Sequence, residues 1–539
     1  MQSYFVAIDI GTSGLRCQSV DGQSGERIST VVTSRHPLPG ANVIDHLHFA
    51  LEMGRDRAHS LLIEAVNRIM ASLQVPMEKI IRLAVCGNPI QLSLFQGIEI
   101  RDLAYAGKRK VEALEIEIPD RNAVVLTAKD IPGLMLADSC EVVIPPAVRH
   151  EIGADALAMM IQTGMLDKDE TAMVTDYGTN AEMALFHDGR VITGSTAAGP
   201  ALEGQQITCG MLAVPGAISD LKKEGGYHRV IVLDGEMLAG SGPLVDLSRG
   251  RTMAPGDLAP AGITGTGTVA IMDEAMKLKL ISIPDILTID GELHFDDIFF
   301  NEADLLEAGK AVGSVRAGHL TLCREAGIRL EEVQTAYMSG ASGTYVDAVK
   351  ALNIGMIPPR VETVYQVGNT SLAMAVDLVR DLKNLDLMSD LAKRLRKTHC
   401  MFASSKTFEQ IYILELAYWT EGMPMAQYRD FLKRYGLPDL IPVKGRPEVI
   451  KTVERDIADL GRKGLTLITD IGKTADVRIK GCTGCGSCIE ECPENALFMP
   501  DESDADRICL SQSLCNGVSC RRCERICPEQ VFKLPDFFQ

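Results

Sequence analysis

The C-terminal stretch from Cys482 to Pro528 constrains this chain more than any other part of it. Nine of the fifteen cysteines fall there. The first run reads Cys482-x2-Cys485-x2-Cys488-x3-Cys492-Pro493, and the second closes as Cys520-x2-Cys523-x3-Cys527-Pro528. Each iron of a four-iron cube takes one thiolate, and tandem runs of this spacing hold two cubes. Paired C-x2-C motifs also bind zinc, but two x3-C-P closures in tandem specify iron–sulfur. The second run is irregular. Its first ligand is either Cys515, with four residues before Cys520, or Cys509, with ten. The shorter loop wraps a cluster more readily and favours Cys515, which leaves Cys509 unligated or close by. Ile489, Leu497, Phe498, Ile526, Val531 and Phe532 supply apolar surface to surround the cubes. Such a tail handles electrons, and the residues before it must say for what purpose.

At 539 residues the chain is too long for one core and calls for two to four domains. Its formal net charge of −18 argues against nucleic acid as a partner, because a phosphate backbone would be repelled. The N-terminal MQSYFVAIDIG lacks the basic and apolar regions of a signal peptide. No apolar stretch approaches the roughly 20 residues that span a bilayer. A cytoplasmic protein without a membrane partner is expected. Cys17, Cys86, Cys140, Cys209, Cys323 and Cys400 have no motif spacing, and in a reducing cytosol they read as unbridged, partly buried thiols.

Residues 4–10 (YFVAIDI) and 15–21 (LRCQSVD) read as strands around the turn GTSG. Asp9 ends the first strand, and Gly11 and Gly14 permit the turn. Backbone N–H groups of such a turn can face a phosphate, and a carboxylate at the strand end can hold Mg2+ through water. Thr12 and Ser13 lie in the same turn. Residues 172–191 repeat the arrangement: Asp176 corresponds to Asp9, Gly178 to Gly11 and Thr179 to Thr12, with Asn180 next. Many hairpins carry D-x-G-T, so one copy says little. Two copies suggest two similar lobes facing one nucleotide. A third glycine turn, AYMSGASGTYVDAVKAL at 336–352, leads from a strand into a helix, where Gly340 and Gly343 allow close backbone approach and a helix N-terminus favours an anion.

Supporting elements alternate strand and helix, which makes this region α/β. Helical spacing marks 48–73. Residues 84–97 read as strand, turn and helix, 145–165 as linker then helix, and 264–281 as a glycine turn opening a helix. Residues 301–328 form the longest clear helix, with Asn301 as N-cap and Gly327 as stop. From 377 the spacing predicts one amphipathic helix to about 400, two helices around Trp419, a further helix within 443–464 ending on glycine, and a strand at LTLITDIG.

D-I-G-T-S at 9–13, D-Y-G-T-N at 176–180 and S-G-A-S-G at 339–343 resemble the two phosphate segments and the adenosine segment of the actin-like ATPase superfamily. CGNPIQ at 86–91, IPPAVRHEIGADALA at 144–158, TGTGTVAIMDEAMK at 264–277 and YQVGNTSLAMA at 365–375 look like the reductive activators of corrinoid proteins. With the cysteine tail, the chain most closely resembles the methylamine methyltransferase corrinoid protein reductive activase family. The resemblance implies an α/β actin-like two-lobed ATPase domain at 1–376, a helical connector or partner-docking region at 377–475, and an α+β two-[4Fe–4S] ferredoxin-like domain at 476–539. It implies ATP-dependent reduction of inactive Co(II) corrinoid to Co(I), with electrons from an unidentified low-potential donor.

The implied cofactors are two [4Fe–4S] clusters, ATP and Mg2+, and the implied partners are corrinoid methyltransferase proteins of the methylamine type. Asp9 and Asp176 would position Mg2+, while Thr12, Ser13, Thr179 and Asn180 with neighbouring amides would hold phosphate. In two-cluster ferredoxins the fourth cysteine of each run ligates the other cluster. That rule gives Cys482, Cys485, Cys488 and Cys527 to one cube, and Cys515, Cys520, Cys523 and Cys492 to the second. Glu182 either orients the attacking water or is a solvated strand residue, the plainer reading. Lys310 and Arg316 either approach the adenosine or lie on a solvated helix face. S-G-A-S-G departs from the G-G-x-G of relatives, with Ser342 at a glycine-like position. Two further readings compete: an ATP-driven electron donor to a different enzyme, and an ATP-binding redox sensor without turnover.

Overall fold

The computed structural model describes residues 2–538 except 106–107, 150, 179, 200, 202–203, 205, 502–503 and 505. The chain divides into two compact units. Unit one comprises Met1–Ala154, Met374–Ser389 and Asp459–Gln539, and unit two comprises Asp155–Ala373 and Asp390–Ala458.

Unit one is built on a seven-stranded sheet in the order Leu465–Ile468, Arg27–Thr33, Leu15–Asp21, Tyr4–Ile10, Ile80–Gly87, Glu141–Ile144, Val124–Thr127. Unit two has a six-stranded sheet in the order Glu448–Lys451, Thr363–Gly368, Thr335–Ser339, Ala172–Tyr177, Asn180–His187, Arg190–Ala197. Five strands of each share one plan. A three-stranded antiparallel meander is followed by two strands added in parallel beside its first member. The first strand of each meander is nearly wholly buried, which is why both read as continuous apolar runs. The two Asp-x-Gly turns therefore occupy the same topological position, at the C-terminal end of the first strand.

Unit two also carries a five-stranded sheet, whose longest members are Ala217–Glu224 and Ala239–Asp246. The long helix spans Glu302–Ala326. Asn301 accepts the Asp304 N–H and Asp304 accepts the Asn301 N–H, both at 3.0 Å, in a reciprocal cap. Gly327 closes it in the left-handed region at φ 74°. The helix packs on Lys406–Glu421 at small residues: a Cβ on Gly309 would lie 2.9 Å from that of Trp419, and one on Gly313 equally close to that of Glu415.

The region after 377 departs from expectation in two places. The single amphipathic helix is two helices, Thr370–Arg380 and Lys383–Leu395. Asp381 interrupts the run, its carboxylate accepting the Lys383 N–H at 3.0 Å, as a short polar side chain does at a helix start. The helix expected within 443–464 does not form. Glu448–Lys451 instead pairs in parallel with Thr363–Gly368, so sheet pairing overrides helical spacing. The two helices around Trp419 and the strand at 465–468 are present. Residues 374–389 belong to unit one and 390–458 to unit two.

The cysteine-rich tail lies within unit one. Its three-stranded sheet runs Thr474–Arg478, Arg507–Ser511, Leu497–Phe498. Phe538 stacks edge-on against Phe49 at 4.9 Å, and Arg521 pairs with Glu52. Among the described residues no helix is long and apolar enough to cross a membrane.

Candidate functional site

In the first hairpin Asp9 is buried at the end of its strand, and the Gly11 N–H donates to the Gly14 carbonyl at 3.1 Å across the turn. Thr12 and Ser13 are half-buried at its tip. Leu15 donates its N–H to the Thr33 hydroxyl at 2.8 Å, and a Cβ on Gly14 would sit 2.8 Å from the Thr33 carbonyl. The turn thus lies flat on the third strand, which explains its second glycine. Ladder register places Arg16 directly opposite Asp9. Its guanidinium lies 3.7 Å from the carboxylate, and a Cβ on Gly11 would come within 2.7 Å of it. Sequence reading missed Arg16. The available signal was the ladder itself, since the residue facing Asp9 across a four-residue turn can be counted.

The second hairpin places a different residue opposite its aspartate. Asp176 faces Glu182 across the ladder. Glu182 is buried, not solvated; burial first, then the nearby carboxylates of Asp155 and Asp176, raise its pKa well above the usual carboxylate range. Asp155 stands in the first turn of the helix Ala154–Gln162. No local motif announces it, because the fold brings it there. Ser195 donates to Glu182 at 3.4 Å. The Gly178 N–H donates to the Asn180 carbonyl at 3.2 Å, and Thr179 lies outside the described residues.

The third turn meets the second hairpin. Ser339 donates to the Asp176 carboxylate at 3.3 Å and lies 3.0 Å from the Thr370 hydroxyl. Gly340 adopts φ 80°, and any side chain there would collide with the Asp176 carboxylate. A Cβ on Gly343 would press on the Met338 backbone at 2.9 Å. Both glycines are therefore required sterically. Arg316 belongs elsewhere: it is buried, donates to Glu415 through Nε at 2.7 Å, and is surrounded by Tyr418, Trp419 and Tyr428. It does not lie on a solvated face; it fastens two helices. Lys310 pairs with Glu307 at 2.6 Å.

The tail gathers its thiols in two groups. Cys482, Cys485, Cys488 and Cys527 line one pocket with Ile479, Ile508, Val531 and Phe532. Burial, then the neighbouring thiols Cys482, Cys485 and Cys527, push Cys488 up to about 11. Cys515 is pushed up to about 12, by burial first, with Cys523, Cys492 and Cys520 as its thiol neighbours. Thiols crowded this way resist ionisation unless a metal centre compensates, and that chemistry fits iron–sulfur ligation. Backbone N–H groups aim at sulfur in the second group, from Ala496 to Cys492 at 3.2 Å and from Gly517 to Cys515 at 3.3 Å. Cys509 lies instead in the central strand of the small sheet, paired with Asp476 and Phe498. No disulfide occurs among the described residues. Phe498 and Ile526, expected around the cubes, are 43% and 44% exposed.

Comparison with known proteins places this arrangement. Residues 4–168 match the family described as the RACo middle region, 170–429 the C-terminal domain of RACo, the ASKHA domain, and 481–531 the 4Fe-4S dicluster domain. The chain is 46% identical over 521 residues to a [Co(II) methylated amine-specific corrinoid protein] reductase of Methanosarcina barkeri, covering 96% of each chain. It is 25% identical over 377 residues to the corrinoid activation enzyme RamQ of Eubacterium limosum, covering 66% of this chain and 60% of that one. The fold matches a solved reductive activator for a corrinoid, iron–sulfur protein with a TM-score of 0.63 at 22% identity, covering 77% of this chain and 66% of that one. With duplicated actin-like sheets, two Asp-x-Gly hairpins and a dicluster tail on one chain, this protein belongs to the family of the Co(II) corrinoid protein reductases that act as reductive activators.

Proposed function

We propose that this protein uses ATP to reduce an inactive Co(II) corrinoid protein to Co(I), and that its partner is a corrinoid protein of methylamine-dependent methyl transfer. The observation that carries this reading is the full-length similarity, which spans both nucleotide hairpins and the cysteine tail together. In the balanced reaction one electron from an external low-potential donor reaches cobalt, while ATP and water give ADP and phosphate. A cytoplasmic setting keeps the thiols reduced.

The first hairpin binds phosphate through its turn amides, Thr12, Ser13 and the Arg16 guanidinium, whose planar donors suit phosphate oxygens. Asp176, Glu182 and Asp155 supply oxygen ligands and hydrogen-bond acceptors for Mg2+ and its waters. Asp9 orients Arg16 and adds a carboxylate at the phosphate end. Gly340 lets the adenosine turn approach Asp176. Phosphoryl transfer needs mainly this positioning and charge compensation. Cys482, Cys485, Cys488 and Cys527 would hold one [4Fe–4S] cluster, and Cys492, Cys515, Cys520 and Cys523 the second. Bound there, the clusters supply one-electron transfer at low potential.

The test mixes anaerobically purified protein, a chemical reductant and MgATP with a methylamine-type corrinoid protein in the Co(II) state. The Co(I) absorption band is expected with MgATP and absent without it. No band with that partner, or an equal band without nucleotide, would contradict the reading.

A further inference from the structure

The segment from Thr33 to Gly40 leaves the third strand of the first sheet and touches two candidate sites within unit one. At its start the Thr33 hydroxyl accepts the Leu15 N–H and donates to the Arg35 carbonyl at 2.7 Å. Leu15 directly follows the Gly11–Gly14 turn, and Gly14 lies against the Thr33 backbone. A displacement of the turn therefore acts directly on Thr33. At its end the Gly40 N–H donates to the Cys515 carbonyl at 2.9 Å. Gly517, at φ 72°, lies so near that a Cβ would be 3.2 Å from the Pro39 carbonyl oxygen. Midway, the Arg35 guanidinium sits 3.5 Å from the Glu494 carboxylate. The other oxygen of Glu494 accepts the Asn516 amide at 3.3 Å.

Glu494 follows Cys492 and Pro493, and Asn516 follows Cys515, so this carboxylate ties together two thiol-bearing segments of the second group. The irregular spacing of the second run acquires a use here. The longer loop between Cys515 and Cys520 contains the residues that meet Pro39 and Gly40. An ion pair as exposed as Arg35–Glu494 adds little stability; what it fixes is the place of a positive charge at the Glu494 carboxylate, two residues after Cys492 in the chain.

We propose that the Thr33–Gly40 segment, with Arg35 as its positioning residue, transmits occupancy of the Gly11–Gly14 turn to the second thiol group, so that one cluster senses nucleotide and the other does not. The proposal rests on the reading of that turn as a phosphate site. A reduced cluster carries one more negative charge than an oxidised one, so a shift of the Arg35–Glu494 pair changes how well the reduced form is held.

The experiment uses the full chain with both clusters, reduced anaerobically, and records electron paramagnetic resonance without nucleotide, with MgADP and with MgATP. Nucleotide binding is measured on the same samples by equilibrium dialysis. One cluster signal is expected to change with MgATP while the other holds. Arg35→Ala should at least halve that change while nucleotide affinity stays within twofold, and the exchange Arg35→Glu with Glu494→Arg should restore it. Hydrogen exchange should show residues 34–42 and 513–518 responding together to MgATP in the natural chain, and only the first responding in Arg35→Ala. Nucleotide that binds yet leaves both signals unchanged, shifts both alike, or acts equally in Arg35→Ala would overturn the coupling alone. A chain that binds no nucleotide would overturn the proposed function with it.

Discussion

The two hairpins share Asp-x-Gly-Thr and one topological position, yet they set opposite charges against their aspartates. Across the ladder from Asp9 stands Arg16, and across from Asp176 stands Glu182. In the first, the pair is nearly neutral and a guanidinium overhangs the turn. In the second, three carboxylates crowd together, and burial resists the ionisation of Glu182. A cation-bearing turn attracts phosphate, and a carboxylate nest attracts a divalent metal. The same scaffold occurs twice, and in the proposed reading one ladder position, Arg16 in one and Glu182 in the other, separates a phosphate site from a Mg2+ site.

The strongest challenge to this contrast is removal of the second aspartate's charge. Asp176→Asn should lower ATP hydrolysis by about 100-fold or more, the scale of losing a group that compensates transition-state charge. Steady-state hydrolysis checks it, and activity within a few-fold of the natural chain would break the assignment. Next in size, Arg16→Ala should raise the KM for ATP by roughly tenfold, as loss of one charge-assisted contact does, while leaving the Mg2+ requirement unchanged. A rise in the Mg2+ requirement with constant KM would reverse the roles of the two turns.

Glu182 gives a smaller effect with a definite sign. Its folded pKa lies above its unfolded value near 4.5, so the folded chain holds that proton more tightly. Its contribution to stability is then full at low pH and is lost as pH rises through the folded pKa. Glu182→Gln should melt a few degrees higher at pH 7 and no higher below about pH 4. Added Mg2+ should narrow the gap at pH 7. A variant that melts lower at neutral pH would show that the carboxylate is already compensated. Smallest of all, Cys509→Ser should leave iron and sulfide content unchanged, whereas Cys515→Ser should lose about half of the iron. Iron counting on both variants decides between them.

Much of this was legible in the chain itself. Asp9, Asp176 and the three glycine turns were found because turn chemistry is local: a few residues dictate the backbone, and the flanking apolar runs give the strands. The same holds for the capped helix Glu302–Ala326. Asp155 and the burial of Glu182 were not legible, because both depend on elements distant in sequence converging. Arg316 misled for a related reason. Its position on the helix was clear, but Glu415, its partner 99 residues away, was not. The strand Glu448–Lys451 was read as helix because a neighbouring strand, rather than its own spacing, decided its form. Loop length favoured Cys515 over Cys509 without deciding between them, and the place of Cys509 in the central strand of the small sheet could not be read from spacing.

The central claim is that ATP turnover at the hairpins and electron delivery through the tail are separate devices joined in one reaction. The most direct test follows ADP release and the Co(I) band together in one anaerobic mixture with a Co(II) corrinoid protein, for the natural chain, Asp176→Asn and Cys488→Ser. The account predicts both products from the natural chain, neither from Asp176→Asn despite full iron content, and ADP without Co(I) from Cys488→Ser. Co(I) formation by Asp176→Asn at the natural rate, or by Cys488→Ser at the natural yield, would contradict it.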